Sequence, residues 1–543
     1  MVFARRSTTL LAAIIASCAM VLSLTACTSD NKTVVDGQTT VTSNSAGGVA
    51  VFTPSDGITL NKQMPLNKWA KLVPDLTKAL VDAGFKKGDI NHTTSDSLDK
   101  QSRAIQDFVV DHLSNNTTDD SGIAIAPDNM TLLVAPVVEA DASTRQYGDY
   151  VSQNLSTNDV TDEGATSDGE SSEDDSSKDD SSNTESDSTA SDEQAQAVDR
   201  LVSSLKLAKE SGMHVVLLGN SIEGYKPDAF VKFSDAQTIG KLQAEKMVSK
   251  LKLDKASKDN PKYIEVLLPY TAMDEKGNAN DSTFAQEAFR GIWQVLGSYY
   301  QKGVVESPSG TLDGKSTEND WQAVAYDAAK EGSTAKVLDK RLAKTDGQST
   351  LTRIDGIITM NDYIASEVVK ELDDLGYTGS AADINPQITI SGIVGNITGK
   401  KDLSRDAVPD PIKSPENDNA NDSSSSDDDA DEDTSASDKD RDSQWPLVTG
   451  YGAYVSNIPS IVNGKQWMTG MEDRQTIATD IAQACAKLNK DEALNSMPSI
   501  RNSEVGGVKK IPTISEPLLA VSAGNLKSAL IDPGYISLAD AGL

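Results

Sequence analysis

Apolar and polar positions along this chain fall into two alternating periods. Short buried-strand runs occur at Gly48-Val49-Ala50-Val51-Phe52, Leu132-Leu133-Val134-Ala135, His214-Val215-Val216-Leu217-Leu218 and Tyr263-Ile264-Glu265-Val266-Leu267-Leu268. Two more follow at Gly356-Ile357-Ile358-Thr359-Met360 and Trp445-Pro446-Leu447-Val448. Between them the period lengthens. Leu72, Leu76 and Leu80 predict a helix from Leu66 to Gly84, and further helices are expected over Val198–Lys209, Phe284–Tyr300, Tyr363–Leu375 and Val455–Val462. Strand and helix in alternation predict an α/β protein with parallel sheets covered by helices on both faces. The chain is too long for one core of this kind and fits two.

The first residues follow another logic. Arg5 and Arg6 precede an apolar run, Leu10 to Leu24, too short for a spanning helix. The run ends at Leu24-Thr25-Ala26-Cys27, which resembles the lipobox of bacterial lipoproteins, where a peptidase cuts before a cysteine whose thiol takes the lipid. Residues 1–26 are therefore expected to be a lipoprotein signal peptide and Cys27 the lipidation site, with Ile15-Ala16-Ser17-Cys18 a poorer second candidate and a plain secretory signal the alternative. The paired arginines lack the flanks of a folded-export signal, so export unfolded is expected. Residues 27–47 are mostly polar and aperiodic and read as a flexible tether. If Cys18 leaves and Cys27 is lipidated, Cys485 stands alone, which excludes an intramolecular disulfide and a cysteine metal site. Its amphipathic setting predicts a small core residue.

Charge changes the picture in two places. The net charge is −32, which argues against a nucleic-acid partner. Residues 159–193 carry 14 acidic and 1 basic side chain, and residues 416–442 carry 12 acidic and 2 basic. Both tracts lack large apolar residues, so two acidic insertions, 150–196 and 403–444, are expected to be disordered loops. Neither contains a calcium-loop pattern with its central Gly and terminal Glu.

Several segments, in order, resemble the type I periplasmic sugar-binding proteins, nearest the xylose and multiple-sugar branch. Lys68-Trp69 followed by Ala79-Leu80-Val81-Asp82-Ala83-Gly84-Phe85 resembles that family's opening helix, and Thr94 to Ile105 its next stretch. Phe233 to Gln243 resembles the entry to the second lobe, Thr359-Met360-Asn361-Asp362-Tyr363-Ile364-Ala365 an Asn-Asp motif, Trp445 to Thr469 the approach to the hinge, and Ile511 to Tyr535 the closing tail. The resemblance implies two Rossmann-like lobes joined by a three-crossover hinge, with a ligand held between them at strand C-terminal ends. Lobe one is expected at 48–228 plus 472–500, lobe two at 229–470, and a tail at 505–543 returning across the hinge.

It also implies a site. Trp69 matches a Trp that stacks on sugar, or else is a helix-start residue packed on the core; Lys68 stands where the family has Arg and keeps the charge without the bidentate fork. Asn361 matches a hydroxyl-binding Asn, or else caps a helix, a task expected of Asp362. Asp235 and Asp281 match acidic positions loosely. The family's ligand-binding Asp-Arg pair is replaced by Gly219-Asn220, and its Gln-Asp pair by Tyr451-Gly452. A standard aldose held by charged clamps is therefore not expected; Asn220 and Tyr451 become the candidate contacts in their place.

Enzymatic readings fail on spacing. Gly314-Lys315-Ser316-Thr317 lacks the leading Gly of a phosphate loop, since Ser309 occupies that position; Gly219 to Gly224 is one residue too long for a nucleophile elbow. His92, His112 and His214 have no metal-ligand spacing. The expectation is a monomeric, lipid-anchored, extracytoplasmic solute-binding protein without cofactor or metal. It would capture a sugar or similar polar molecule for an ABC permease; the alternative is a non-transport sensor or surface-interaction lipoprotein with a diverged cleft.

Overall fold

A strand inside a parallel sheet must be buried on both faces, and the strand Gly48–Pro54 (β1) is buried from Gly48 through Thr53. Parallel neighbours need crossovers, which helices supply. Helix α1 (Trp69–Asp82) leads to β2 (Ile90–Ser95), α2 (Leu98–Asn115) to β3 (Met130–Val134), α3 (Glu185–Glu210) to β4 (His214–Leu218), and β5 (Ala229–Val231) follows. In the next part α4 (Ala236–Leu251) precedes β6 (Lys262–Val266), α5 (Thr283–Gln301) precedes β7 (Val305–Glu306), α6 (Ser333–Arg341) precedes β8 (Gly356–Ile358), and α7 (Asp362–Leu375) comes before β9 (Leu447–Thr449). The chain closes with β10 (Met468–Met471), α8 (Arg474–Leu488), β11 (Ile500–Val505), β12 (Val508–Ile514) and β13 (Leu519–Ser522). This computed structural model describes residues 32–35, 38–41, 46–55, 65–115, 125–138, 145–150, 154–156, 185–273, 280–343, 351–382 and 445–543.

Two units separate, Met1–Ser45 and Ala46–Leu543. In the first, Lys32–Val35 pairs antiparallel with Gln38–Val41. This corrects the expectation of an aperiodic tether through residue 47. The signal was the β-branched residues of Thr33-Val34-Val35 and Thr39-Thr40-Val41. Residues 1–26 and Cys27 lie outside the described residues.

Among the described residues the second unit holds two large sheets and three two-stranded ones. The first has the order β11-β12-β5-β4-β3-β1-β2, parallel except for the β11–β12 pair. Successive residues face opposite layers: Val49 and Val51 pack with Leu72, Leu76, Ile481 and Ala482 of α1 and α8, whereas Ala50 and Phe52 pack with Ile105, Val109, Leu201 and Leu205 of α2 and α3. The second sheet, β7-β6-β8-β9, is parallel throughout. Helices α4 and α5 cover one face through Ile239, Met247, Phe289 and Ile292. Ile364, Val368 and Leu372 of α7 cover the other with Leu338 of α6.

The chain passes between the sheets three times. It leaves the first after Val231, returns from β10 into α8, and leaves again after Ile514 to form β13, which pairs antiparallel with β10. The two-lobed, three-crossover α/β arrangement is thus present. Three boundaries differ from expectation. Ala229–Val231 belongs to the first lobe because it pairs with β4, and the first lobe runs through Ile514 because β12 pairs with β5. Within 150–196, Asn154–Leu155 pairs with Ser221–Ile222, and α3 begins at Glu185, well before Val198. Extending an established helix costs less than starting one, and acidic residues suit its N-terminal end. Residues 151–153 and 157–184 of that tract, and all of 403–444, lie outside the described residues.

Candidate functional site

In open parallel sheets the segments after strand C-terminal ends build the ligand site. Here β4 delivers Gly219 and Asn220, β5 delivers Phe233 and Ser234, β8 delivers Asn361, and β9 delivers Tyr451. Contacts show that the two sets meet: the Tyr451 hydroxyl lies 2.6 Å from the Ser234 hydroxyl, and both are buried.

The expected residues take distinct places. Trp69 opens α1 and is only 2% exposed; its ring meets Tyr150 edge-on at 5.0 Å and Phe233 at 5.7 Å. The Lys68 ammonium pairs with Asp149 at 2.6 Å. Asn220 is buried and donates to the Pro136 carbonyl at 2.9 Å. Asn361 is the N-cap of α7, its side-chain oxygen accepting from Ile364 N at 2.9 Å, while its amide donates to Gln146 Oε1 at 3.0 Å. Asp362 is therefore not the cap. It is fully buried at the first helical position, where its carboxylate accepts from Tyr454 N, Gln466 Nε2 and Thr469 Oγ1 at 2.7–2.9 Å. Burial still pushes its carboxyl up to about 6. The preceding Met360 has φ 68°, a left-handed conformation a side chain holds only when its surroundings impose it.

Asp235 caps α4 through Thr238 and pairs with Lys232, and Asp281 is exposed and accepts from Thr283 N and Oγ1. Both make local helix-start contacts. Neither is brought to the cluster around Trp69, Asn361 and Tyr451 by any hydrogen bond among the described residues.

The sequence reading missed Glu472, Asn67 and Tyr454. Glu472, at the second passage between lobes, is 1% exposed; its carboxylate accepts from Ser234 N at 2.7 Å and from the Ser234 hydroxyl, with the Tyr451 hydroxyl 3.4 Å away. Burial raises it to about 7. Burial likewise holds the Tyr451 phenol well above its usual value. Asn67 is 2% exposed and its Nδ2 has no hydrogen-bond partner among the described residues. Tyr454 donates to the Gln146 carbonyl at 2.7 Å.

The largest omission is residues 145–150. A 3-10 turn, Arg145–Tyr147, is followed by Gly148 at φ 98°, where a Cβ would stand 2.5 Å from the Asn67 carbonyl. Only glycine fits that approach. Tyr147 packs against Phe284 at 4.6 Å and Tyr451 at 6.2 Å, and Tyr150 stacks on Phe233 at 4.7 Å. A signal existed in Tyr147-Gly148-Asp149-Tyr150, two aromatics in a chain only 5% aromatic, although the acidic insertion expected from residue 150 begins at its last member.

Two surface hollows, one beside Lys258, Tyr300 and Asp313 and one beside Asp228, Leu494 and Pro512, share no residue with this cluster. Among the described residues no group of three His, Cys, Asp or Glu could hold a metal ion, and no helix is long and apolar enough to cross a membrane.

No protein-family pattern and no curated protein sequence matches the chain. Solved structures do. An ABC transporter solute-binding protein from Clostridium phytofermentans with bound β-D-glucose superposes with TM-score 0.44 at 16% identity, over 91% of this chain and 99% of that one. A carbohydrate transporter solute-binding protein from Chloroflexus aurantiacus, in complex with D-glucose, gives 0.43 at 18% identity, over 92% and 98%. A periplasmic solute-binding protein from Actinobacillus succinogenes with D-allose gives 0.38 at 10% identity, over 89% and 99%.

Proposed function

We propose that this protein is an extracytoplasmic binding protein that captures a sugar or a similarly polar small molecule between its lobes, for an ABC permease. One observation carries the reading: the strand ends of two parallel sheets meet across a band of aromatic and hydrogen-bonding side chains, beside three chain passages that let the lobes hinge. Lys68, Trp69, Asn220, Asn361 and Tyr451 are the contacts assigned to the ligand. The rings offer faces for the apolar side of a sugar, and the amides offer donors and acceptors for its hydroxyls. The N-terminal pattern ending at Cys27 supports export and a lipid anchor on the outer face of a membrane. Chemistry is not part of the reading: the buried carboxylates of Asp362 and Glu472 are engaged by protein donors.

Thermal unfolding against a carbohydrate panel tests it. A ligand at a hundred times its Kd adds about 2.7 kcal/mol and raises Tm. If no sugar or sugar derivative raises Tm, the capture reading is lost.

A second reading, a sensor or surface-interaction lipoprotein, is favoured by one feature: the band is filled by side chains of the chain itself. Genes for a permease and its ATPase beside this one would decide against it.

A further inference from the structure

Residues 145–150 touch both lobes by a full set of contacts. Toward the second lobe, Gln146 Oε1 accepts from the Asn361 amide, the Gln146 carbonyl accepts from the Tyr454 hydroxyl, and Tyr147 enters the apolar core with Phe284 and Tyr451. Toward the first lobe, Asp149 spans Lys68 Nζ at 2.6 Å and Trp69 N at 3.1 Å, and its own N–H donates to the Asn67 carbonyl at 2.8 Å. Tyr150 donates to the Lys68 carbonyl at 2.5 Å and lies in the aromatic group with Trp69 and Phe233. Four of the five ligand contacts assigned above, Lys68, Trp69, Asn361 and Tyr451, are thus engaged by one six-residue segment.

We infer that residues 145–150 are a built-in ligand that holds the lobes together, and that the solute able to displace them is a ring compound bearing a carboxylate, such as a sugar acid. The inference rests on the capture reading for its second half only. The chemistry follows from what the segment supplies. A carboxylate is the group seated between an ammonium and the first N–H of α1, where the helix dipole adds to the attraction. Rings fill the space beside Trp69, Phe233 and Tyr451. The buried Asn67 Nδ2, which has no hydrogen-bond partner among the described residues although its amide oxygen accepts from Glu472 N, lies in the residue whose carbonyl holds Asp149 N and is a donor that a larger acid would reach. A neutral aldose supplies rings of C–H and hydroxyls but leaves Lys68 without a counter-charge once Asp149 is displaced.

The test uses the full mature chain and two paired variants. Tyr147→Ala with Asp149→Ala removes an anchor on each lobe. Asp149→Asn with Tyr454→Phe removes one polar anchor on each side while every ring stays in place, so folding is retained if the first pair loses it. Small-angle scattering should show a larger radius of gyration in each folded variant, and hydrogen exchange at Ser234, Tyr451 and Glu472 should be faster. A folded variant with unchanged radius and exchange overturns the built-in ligand. In the opened variants, D-glucuronate should raise Tm more than D-glucose does. An equal or larger rise with D-glucose overturns the assignment to a carboxylate. Opening without a Tm response to either probe upholds the built-in ligand and overturns the carboxylate assignment, and the capture reading then stands or falls by the full carbohydrate panel.

Discussion

Glu472 sits at the waist between the lobes with its carboxyl against Ser234 and Tyr451. Burial moves it from 4.5 to about 7, and the direction fixes its effect on stability. Below the unfolded value the group is protonated in both states and costs nothing. Between 4.5 and about 7 the unfolded chain gives up its proton while the folded protein keeps it, so stability falls across that window and levels off above it, where the folded protein holds the buried charge. A displacement of this size is worth about 3 kcal/mol. Urea unfolding at pH 5 and pH 8 should therefore show the wild type losing more stability over that interval than Glu472→Gln, by up to about that amount. Equal losses in the two proteins would contradict the account. Little of this was legible beforehand. Glu472 sits in a run, Met471-Glu472-Asp473-Arg474, whose neighbours are an edge residue and a helix cap, and only the fold brings Ser234 to it from 238 residues away. Trp69 and Asn361 were legible because each starts a helix after a strand. Their partners were not, because Gln146, Asp149 and Tyr150 approach from a segment with no period of its own.

At the scale of elements, burial period did most of the work. The apolar positions of α1, α5 and α7 predicted those helices to within a few residues, since each presents one stripe to a sheet. The segment after β9 was less regular than expected: Val455–Asn457 is a 3-10 turn before a short helix, Ile458–Val462, with a Pro in its first turn. What periodicity could not show is how closely helices approach. A Cβ at Gly240 would lie 2.2 Å from the Ala288 carbonyl oxygen, and one at Gly291 would lie 2.0 Å from that of Gln237. Helices α4 and α5 therefore meet backbone to backbone. Alanine is the better helix former by about 1 kcal/mol, but the clash is with main chain and cannot be relieved by a rotamer. Gly240→Ala and Gly291→Ala should each lower stability by about 1–3 kcal/mol in denaturant titrations. A gain in stability at either position would show that the helices can move apart at little cost.

For the whole molecule, the tail is structural. Val521, Leu526, Leu530 and Ile536 pack with Leu66, Ala453, Ile458, Ile461 and Met471, and Arg474 lies over the Tyr535 ring at 4.3 Å. Each large apolar side chain covered in this way is worth about 1.5–3 kcal/mol. Ending the chain after Ile514 also leaves β10 without its partner. The shortened protein should melt at a clearly lower temperature, by a loss on the order of 6 kcal/mol, a large share of an ordinary domain's stability. Calorimetry giving an unchanged Tm would mean that the tail is an appendage. The alternation of strand and helix made the two lobes legible as a pair. Their limits were not, because β5 is too short to announce itself and β12 joins it from the far end of the chain, across the whole of the second sheet.

The threefold passage between lobes also governs how this gene can be divided. The first lobe is assembled from residues before Lys232 and from a stretch running from near Glu472 to Ile514, with the second sheet encoded in between and the tail that pairs with β10 encoded after it. No single cut therefore yields an intact half, and a split reporter, a fusion or a domain exchange must be planned around three breakpoints and rejoined loops.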